Sequence, residues 1–281
     1  MKMRDSTILN YLLLVLFALS FTTQAEVYQW KDEKGKTHFS DKNPHPDENT
    51  STIKIQAGQS WLKVKTVYDG DTVVLENGEK IRLLGINTPE IQHQNKPADA
   101  GGDEAKQWLI NKVKNAKVRV ETDVEKQDHY GRTLGHLFTE NKEHLNLQLV
   151  KEGLAAVSIF PPSLRYTKEL IAAQDEAEQA KRGIWQRPEY APINAADLTD
   201  EGHAGWTRIV GTVSEAQVNR KTVYLRFTDR FLAKIERDNE SLFPDLNSYR
   251  GKKIEVRGWL NRSKDKFSML IRHPSAIKLL Q

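Results

Sequence analysis

The chain has 281 residues, 38% of them hydrophobic and 28% charged, which suits one large or two modest domains and excludes a disordered or collagen-like chain. It has no cysteine, so disulfides, thiolate zinc sites, iron-sulfur clusters and cysteine nucleophiles are excluded, leaving oxygen and histidine as metal ligands. A net charge of +4 is too small over this length to imply a polyanion partner, so the distribution of charge has to decide.

Lys2 and Arg4 precede a nearly unbroken apolar run from Tyr11 to Phe21, and Thr23-Gln24-Ala25 supplies small residues at a cleavage point. This pattern predicts a secretory signal peptide over residues 1–25, cut after Ala25, and a secreted or periplasmic protein with no stable membrane span thereafter. The alternative is an uncleaved anchor, but the run falls short of the roughly 20 residues that cross a bilayer. Cleavage removes Lys2, Arg4 and Asp5 and leaves a net charge of +3. Residues 26–44 alternate around Glu33-Lys34-Gly35-Lys36, a hairpin signal, with Tyr28, Trp30 and Phe39 as the only large apolar groups, too few for a core. The segment resembles a short module of unknown function found after the signal peptide of bacterial envelope proteins. Asn43 to Gln59 reads as linker, so residues 26–59 form a hairpin module with its connection.

Residues 60–187 are patterned throughout. Trp61 to Val67 alternates, Asp69-Gly70 turns, Thr72 to Leu75 is a second strand, Asn77-Gly78 a hairpin turn, and Lys80 to Ile86 a third strand. Asp103 is placed to cap a helix with Ala105, Trp108, Leu109 and Val113 on one face, and strands follow at Lys117 to Thr122 and Thr133 to Phe138. Two more helices run over Leu145 to Lys151 and Leu164 to Arg182, each closed by glycine. The expected fold class is α+β: an OB-type five-stranded barrel with three helices.

A barrel of this kind brings Asp71, Asn87 and Glu90 together from the ends of adjoining strands. Asp69-Gly70-Asp71-Thr72, Arg82 through Glu90, Gly102-Asp103-Glu104-Ala105, Asp128-His129-Tyr130-Gly131-Arg132, Leu149 through Ala155 and Gly183-Ile184-Trp185 are individually weak signals. In this order and spacing, from about Trp61 to Trp185, they resemble the staphylococcal nuclease (thermonuclease) family. The resemblance implies Ca²⁺-dependent phosphodiester hydrolysis leaving 3′-phosphate ends. It assigns Asp71, Asn87 and the Thr88 carbonyl to the metal, Glu90 to orienting or activating water, and Arg82 and Arg132 to the phosphate. These types suit the chemistry, because hard oxygens hold Ca²⁺ and forked guanidinium groups match phosphate oxygens. Asn87 departs from the aspartate common in the family and predicts weaker metal binding. The family's base-stacking tyrosines have no clear match, leaving Phe160 and Tyr166 as stacking candidates; core packing is the equal alternative for Phe160. His93, His129 and His136 lack metal-like spacing and are expected on the solvated surface.

Pro188 to Gly205 reads as a second linker, and residues 206–281 as a mainly-β, OB-like domain with strands at Thr207 to Val213, Thr222 to Phe227, Lys252 to Leu260 and Phe267 to Ile271. Residues 202–281 hold 16 Lys or Arg against 8 Asp or Glu, whereas residues 26–201 hold 24 against 29, so the basic character is C-terminal. Trp206, Tyr224, Phe227, Trp259 and Phe267 interleave with Arg208, Arg226, Arg257 and Arg272. That pattern points to single-stranded DNA or RNA as partner, with an ordinary half-buried sheet as the alternative. The sequence thus supports two functions: a calcium-dependent nuclease with a C-terminal nucleic-acid-binding domain, or a nuclease-like binding scaffold that has lost its chemistry.

Overall fold

The computed structural model describes residues 26–31, 37–40, 51–54, 60–92, 97–199 and 205–280. The predicted signal peptide and His93 lie outside them. Among the described residues no helix is long and apolar enough to cross a membrane. The chain divides into two compact units, Met1–Gln59 and Ser60–Gln281.

In the first unit β1 (Glu26–Lys31) pairs antiparallel with β2 (Thr37–Ser40), with Tyr28 opposite Ser40, as the hairpin signal implies. The far side of β1 carries β3 (Ser51–Lys54), giving the order β2-β1-β3. The stretch read as linker therefore holds a strand. Its four residues, Ser-Thr-Ile-Lys, are too few to show an alternating pattern.

The second unit begins with β4 (Leu62–Val67), β5 (Thr72–Leu75), β6 (Lys80–Leu83) and the two-residue β7 (Ile86–Asn87), followed by α1 (Gly102–Val113). Next come β8 (Lys117–Gln127), β9 (Thr133–Thr139), α2 (Leu145–Lys151), β10 (Ala156–Val157) and α3 (Thr167–Gln179). β4-β5-β6-β9-β8 close into a barrel in which only β6 and β9 run parallel. Val73, Leu75, Ile81, Leu83, Val118 and Leu137 fill it, and Leu109, Leu145, Leu149 and Leu170 close it from the helices. The period-2 and period-3.6 patterns of the sequence meet in this single core.

Three local departures from the sequence reading bear on function. The strand expected over Lys80 to Ile86 is broken, because Gly85 takes φ +77, open to glycine at little cost, and turns the chain so that Ile86–Asn87 pairs with Val157 and Ala156 instead. Buried Asn146 of α2 pins this break: its Nδ2 donates to the Leu84 carbonyl at 2.9 Å and its Oδ1 accepts the Leu137 amide at 3.0 Å. β8 runs five residues beyond its expected end at Thr122, since polar contacts replace the apolar alternation: the Arg165 amide donates to Asp123 Oδ2 and the Glu125 amide to Ser163 Oγ. Finally, α1 is preceded by Gly101 in the left-handed region, so Asp103 lies in the first turn and does not cap the helix.

Part of the segment read as the second linker is structured: β11 (Ile193–Asn194) pairs parallel with β12 (Gly205–Thr212), and Ala195 and Leu198 enter the second core. β13 (Glu215–Val218), β14 (Thr222–Arg226), β15 (Phe231–Glu236), β16 (Lys253–Ser263), β17 (Lys266–Leu270) and β18 (Ile277–Leu279) complete an eight-stranded sheet. Its order is β11-β12-β16-β17-β15-β14-β13, with β18 on β16. Only Val213 and Ser214 separate β12, second in that order, from β13 at its far end, and β15–β17 is parallel, as β6–β9 is in the barrel.

Buried ion pairs join the two halves. Arg257 of β16, 7% exposed, donates to Glu178 of α3, with Nη2–Oε2 at 3.0 Å, and through Nε to Glu255 Oε1 at 2.5 Å. Arg208 of β12 forks onto the same Glu255 at 2.8 and 2.9 Å. Burial works against the charge of Arg257, but the Glu178 and Glu255 carboxylates outweigh it and raise its pKa above the ordinary value.

Candidate functional site

One end of the barrel gathers four of the residues singled out from sequence. Asp71 lies at the turn before β5, 5% exposed, and Arg82 on β6 reaches it with Nη1–Oδ2 at 2.8 Å. The same Nη1 donates to the carbonyls of Leu83 at 3.1 Å and Ile86 at 3.2 Å, while Nη2 donates to Asn87 Oδ1 at 3.3 Å. The Thr88 amide donates to Asp71 Oδ2 at 2.9 Å and Asn87 Nδ2 to the Thr88 carbonyl at 3.1 Å. The guanidinium therefore gathers the chain reversal that Gly85 creates onto the Asp71 carboxylate. Burial pushes Asp71 up to about 6; Arg82 offsets part of that shift and neighbouring Asp69 adds to it.

Glu90 is placed by its backbone. Its amide donates to Asp99 Oδ2 at 3.3 Å and its carbonyl accepts the Asp99 amide at 2.8 Å. The start of α1 presses on the same carbonyl, since a Cβ on Gly102 would stand 2.5 Å from it. Asp99 has no signal of its own in the polar Asn95-to-Asp99 stretch, whereas Gly102 belongs to a motif already noted. Arg132 sits apart, on the loop between β8 and β9, one residue before Thr133, which faces Ile81 of β6. Its Nε donates to Asp128 Oδ2 at 2.6 Å, leaving its terminal amino groups to other partners, and Tyr130 beside it is 73% exposed.

The other sequence expectations fare differently. His129 is exposed, as expected. His136 is buried, its Nδ1 3.1 Å from Nε2 of buried His144, which corrects the expectation of a solvated ring. Tyr166 packs on both imidazoles and donates its hydroxyl to Glu121 at 2.7 Å, which gives it a structural role in the barrel. Phe160 is 44% exposed and so is not core. Arg208 and Arg257 are engaged by Glu255 and Glu178, and Arg226 lies 3.5 Å from Glu215. Arg272 lies over the Phe160 ring at 4.7 Å, while Arg208 and Arg257 lie over Trp185 at 5.6 and 5.7 Å.

The histidine pair predicts a pH response. Burial pushes His136 down to about 4, and burial followed by the His136 charge pushes His144 down to about 3. Both rings are neutral in the folded and unfolded chains above pH ~6.5, the ordinary histidine value, so their contribution is complete there. As pH falls below ~6.5 the unfolded chain takes up protons that the folded chain refuses, costing up to about 2.7 kcal/mol per pH unit for two histidines until the folded values are reached. Urea unfolding at pH 7 and pH 5 should show this loss, and His144→Gln should roughly halve the histidine share; an unaltered pH slope in the variant refutes the origin.

The site thus places a buried carboxylate, an amide oxygen and a backbone carbonyl beside a fixed guanidinium at one end of a closed barrel in an α+β protein. The chain belongs to the staphylococcal nuclease family: the family model described as "Staphylococcal nuclease homologue" matches residues 80–187. The thermonuclease of Staphylococcus intermedius is 38% identical over 133 residues, which is 46% of this chain and 78% of the relative. The uncharacterized protein MJ1439 of Methanocaldococcus jannaschii is 32% identical over 197 residues, 61% of this chain and 93% of the relative. The SPbeta prophage-derived endonuclease YokF of Bacillus subtilis is 32% identical over 142 residues, 49% of this chain and 45% of the relative. A second model, "Domain of unknown function (DUF4124)", matches residues 12–60.

Proposed function

We propose that this protein is a secreted or periplasmic, calcium-dependent nuclease that hydrolyses DNA or RNA to 3′-phosphate ends, with the C-terminal sheet binding the polymer. The observation that carries the reading is the Arg82 guanidinium, bound at once to Asp71 and Asn87 in a member of the staphylococcal nuclease family. The central barrel is read as OB-type. The C-terminal sheet is read the same way, because β12 runs almost directly into β13 across the sheet and the parallel pair β15–β17 matches β6–β9 of the barrel.

The residues fit a hard cation. Among the described residues no cluster of three His, Cys, Asp or Glu could hold a metal; the donors that the family resemblance implies are Asp71, the Asn87 amide oxygen and the Thr88 carbonyl. All are oxygens, and a cation beside the buried Asp71 carboxylate would oppose the desolvation that raises its pKa. When bound, Ca²⁺ supplies positive charge to the phosphoryl oxygens. Arg82 is held by four protein oxygens and so offers its remaining donors in a fixed direction, which costs no reorganisation as charge develops on the phosphate. Arg132, tethered at Nε by Asp128, is the second guanidinium that the family resemblance assigns to the phosphate. Glu90 orients a water whose oxygen bonds to phosphorus as the bond to the 5′ oxygen breaks; the departing oxygen takes up a proton.

Digestion of end-labelled single-stranded DNA and RNA, with Ca²⁺ or chelator, followed by end-group analysis, tests this. Cleavage lost in chelator with 3′-phosphate products is expected; equal cleavage in chelator sinks the metal role. Asn87, which lacks the charge of a second carboxylate, favours the second reading of a binding scaffold without turnover, and binding with no cleavage under any metal would establish it.

Asn87→Asp should tighten Ca²⁺ binding about tenfold, equivalent to ~1.4 kcal/mol, by adding an anionic oxygen to a site at the weak end of the calcium range. It should raise activity more at limiting than at saturating metal. A dissociation constant unchanged by calorimetry removes Asn87 from the ligand set.

A further inference from the structure

Two clefts meet at Trp206. The first, about 290 Å³, is lined by Asn87, Pro89, Asp99, Ala156, Tyr190 and Trp206, and so opens beside the site already described. The second, about 300 Å³, continues from Val157 past Phe160 to Trp259 and Arg272. β10 and the residues after it form a shared wall, because Ala156 pairs with Asn87 and the Ser158 amide donates to the Gly85 carbonyl at 2.9 Å.

The second cleft offers rings and a cation together. Phe160 is 44% and Trp259 40% exposed, and both line this cleft. Arg208, Arg226 and Arg257 are each matched by a carboxylate, whereas Arg272, among the described residues, has the Phe160 ring as neighbour and no carboxylate. A guanidinium against a ring with no local anion, in a block of 16 basic and 8 acidic residues, is complementary to a chain of phosphates bearing flat bases.

We propose that the second cleft is a single-stranded nucleic-acid subsite. Bases stack on Phe160 and Trp259, Arg272 takes a backbone phosphate, and the strand engaged at the barrel end continues along β10 onto the C-terminal sheet. The link to cleavage rests on the nuclease reading above; binding in the cleft does not, and is measured without turnover.

The test is fluorescence anisotropy of the full mature chain with labelled phosphorothioate dT12, which resists hydrolysis, in chelator. Phe160→Ala and Trp259→Ala should each raise Kd roughly 5- to 150-fold, the loss of one stacked base. Trp259→Phe, which keeps a ring, should bind within a few-fold of the parent. Arg272→Gln should lower the slope of log affinity against log salt by about 0.7. Melting temperatures identify any variant that fails to fold; Phe160→Ser and Arg272→Gln, both at exposed or half-exposed positions, then carry the test. Unchanged Kd in the aromatic variants overturns the proposal. So does an equal loss in Arg226→Ala, outside the cleft, which would mark diffuse charge attraction.

Discussion

Glu90→Gln is expected to lower phosphodiester turnover by about 10²- to 10⁴-fold, the usual cost of removing a positioned proton-transfer or electrostatic group. The substitution keeps the side-chain size, and the fold holds residue 90 by its backbone: amide and carbonyl both bond Asp99, and the α1 terminus packs against the carbonyl. The melting temperature should therefore stay within a degree or two while single-turnover cleavage at saturating Ca²⁺ collapses. Arg82→Lys should behave differently. A lysine offers one point of charge where the guanidinium spans Asp71, Asn87 and two carbonyls, so activity and stability should fall together. Cleavage by Glu90→Gln within threefold of the parent would remove Glu90 from the proposed chemistry.

The barrel was legible because its strands are amphipathic and its turns carry Asn-Gly and Asp-Gly signals, which specify register as well as position. Its site was legible for another reason: Asp71, Arg82 and Asn87 fall at strand ends, where a change of direction is written in glycine and proline. The break at Gly85 was hidden inside an otherwise strand-like run, since Leu84 and Ile86 are apolar on both sides of it and only the left-handed backbone tells them apart. Histidine misled. His136 sits at a strand position whose neighbours Leu137 and Phe138 are also buried, and a buried imidazole is tolerated there because His144, far enough away to escape a spacing rule, supplies its hydrogen bond.

The C-terminal arginines show the same limit more sharply. Alternation of basic and aromatic residues places Arg208 and Arg257 on a sheet, but cannot say whether that face meets solvent or another part of the chain. The deciding partner, Glu178, lies 79 residues from Arg257 on a helix of the other half. Such pairs are invisible to pattern reading because nothing local to either residue records them.

Arg257→Met is accordingly expected to destabilise the protein by about 3 to 5 kcal/mol, since it leaves Glu178 and Glu255 with a lost partner in a poorly hydrated site. Glu255 is 2% exposed and retains Arg208, but Glu178 keeps only exposed Lys278 at 3.1 Å. Pairing Arg257→Met with Glu178→Gln should recover part of the loss, because the second change removes the stranded charge; a double variant no more stable than the single one would show that packing against Trp185, not charge, was lost. The expected fall in melting temperature for the single variant is roughly 6 to 20 °C. The same geometry bears on truncation. Removing residues 206–281 strips Arg208 and Arg257 from the Trp185 ring and Arg257 and Lys278 from Glu178, so the nuclease barrel without its C-terminal half is a destabilised fragment and not a neutral catalytic core.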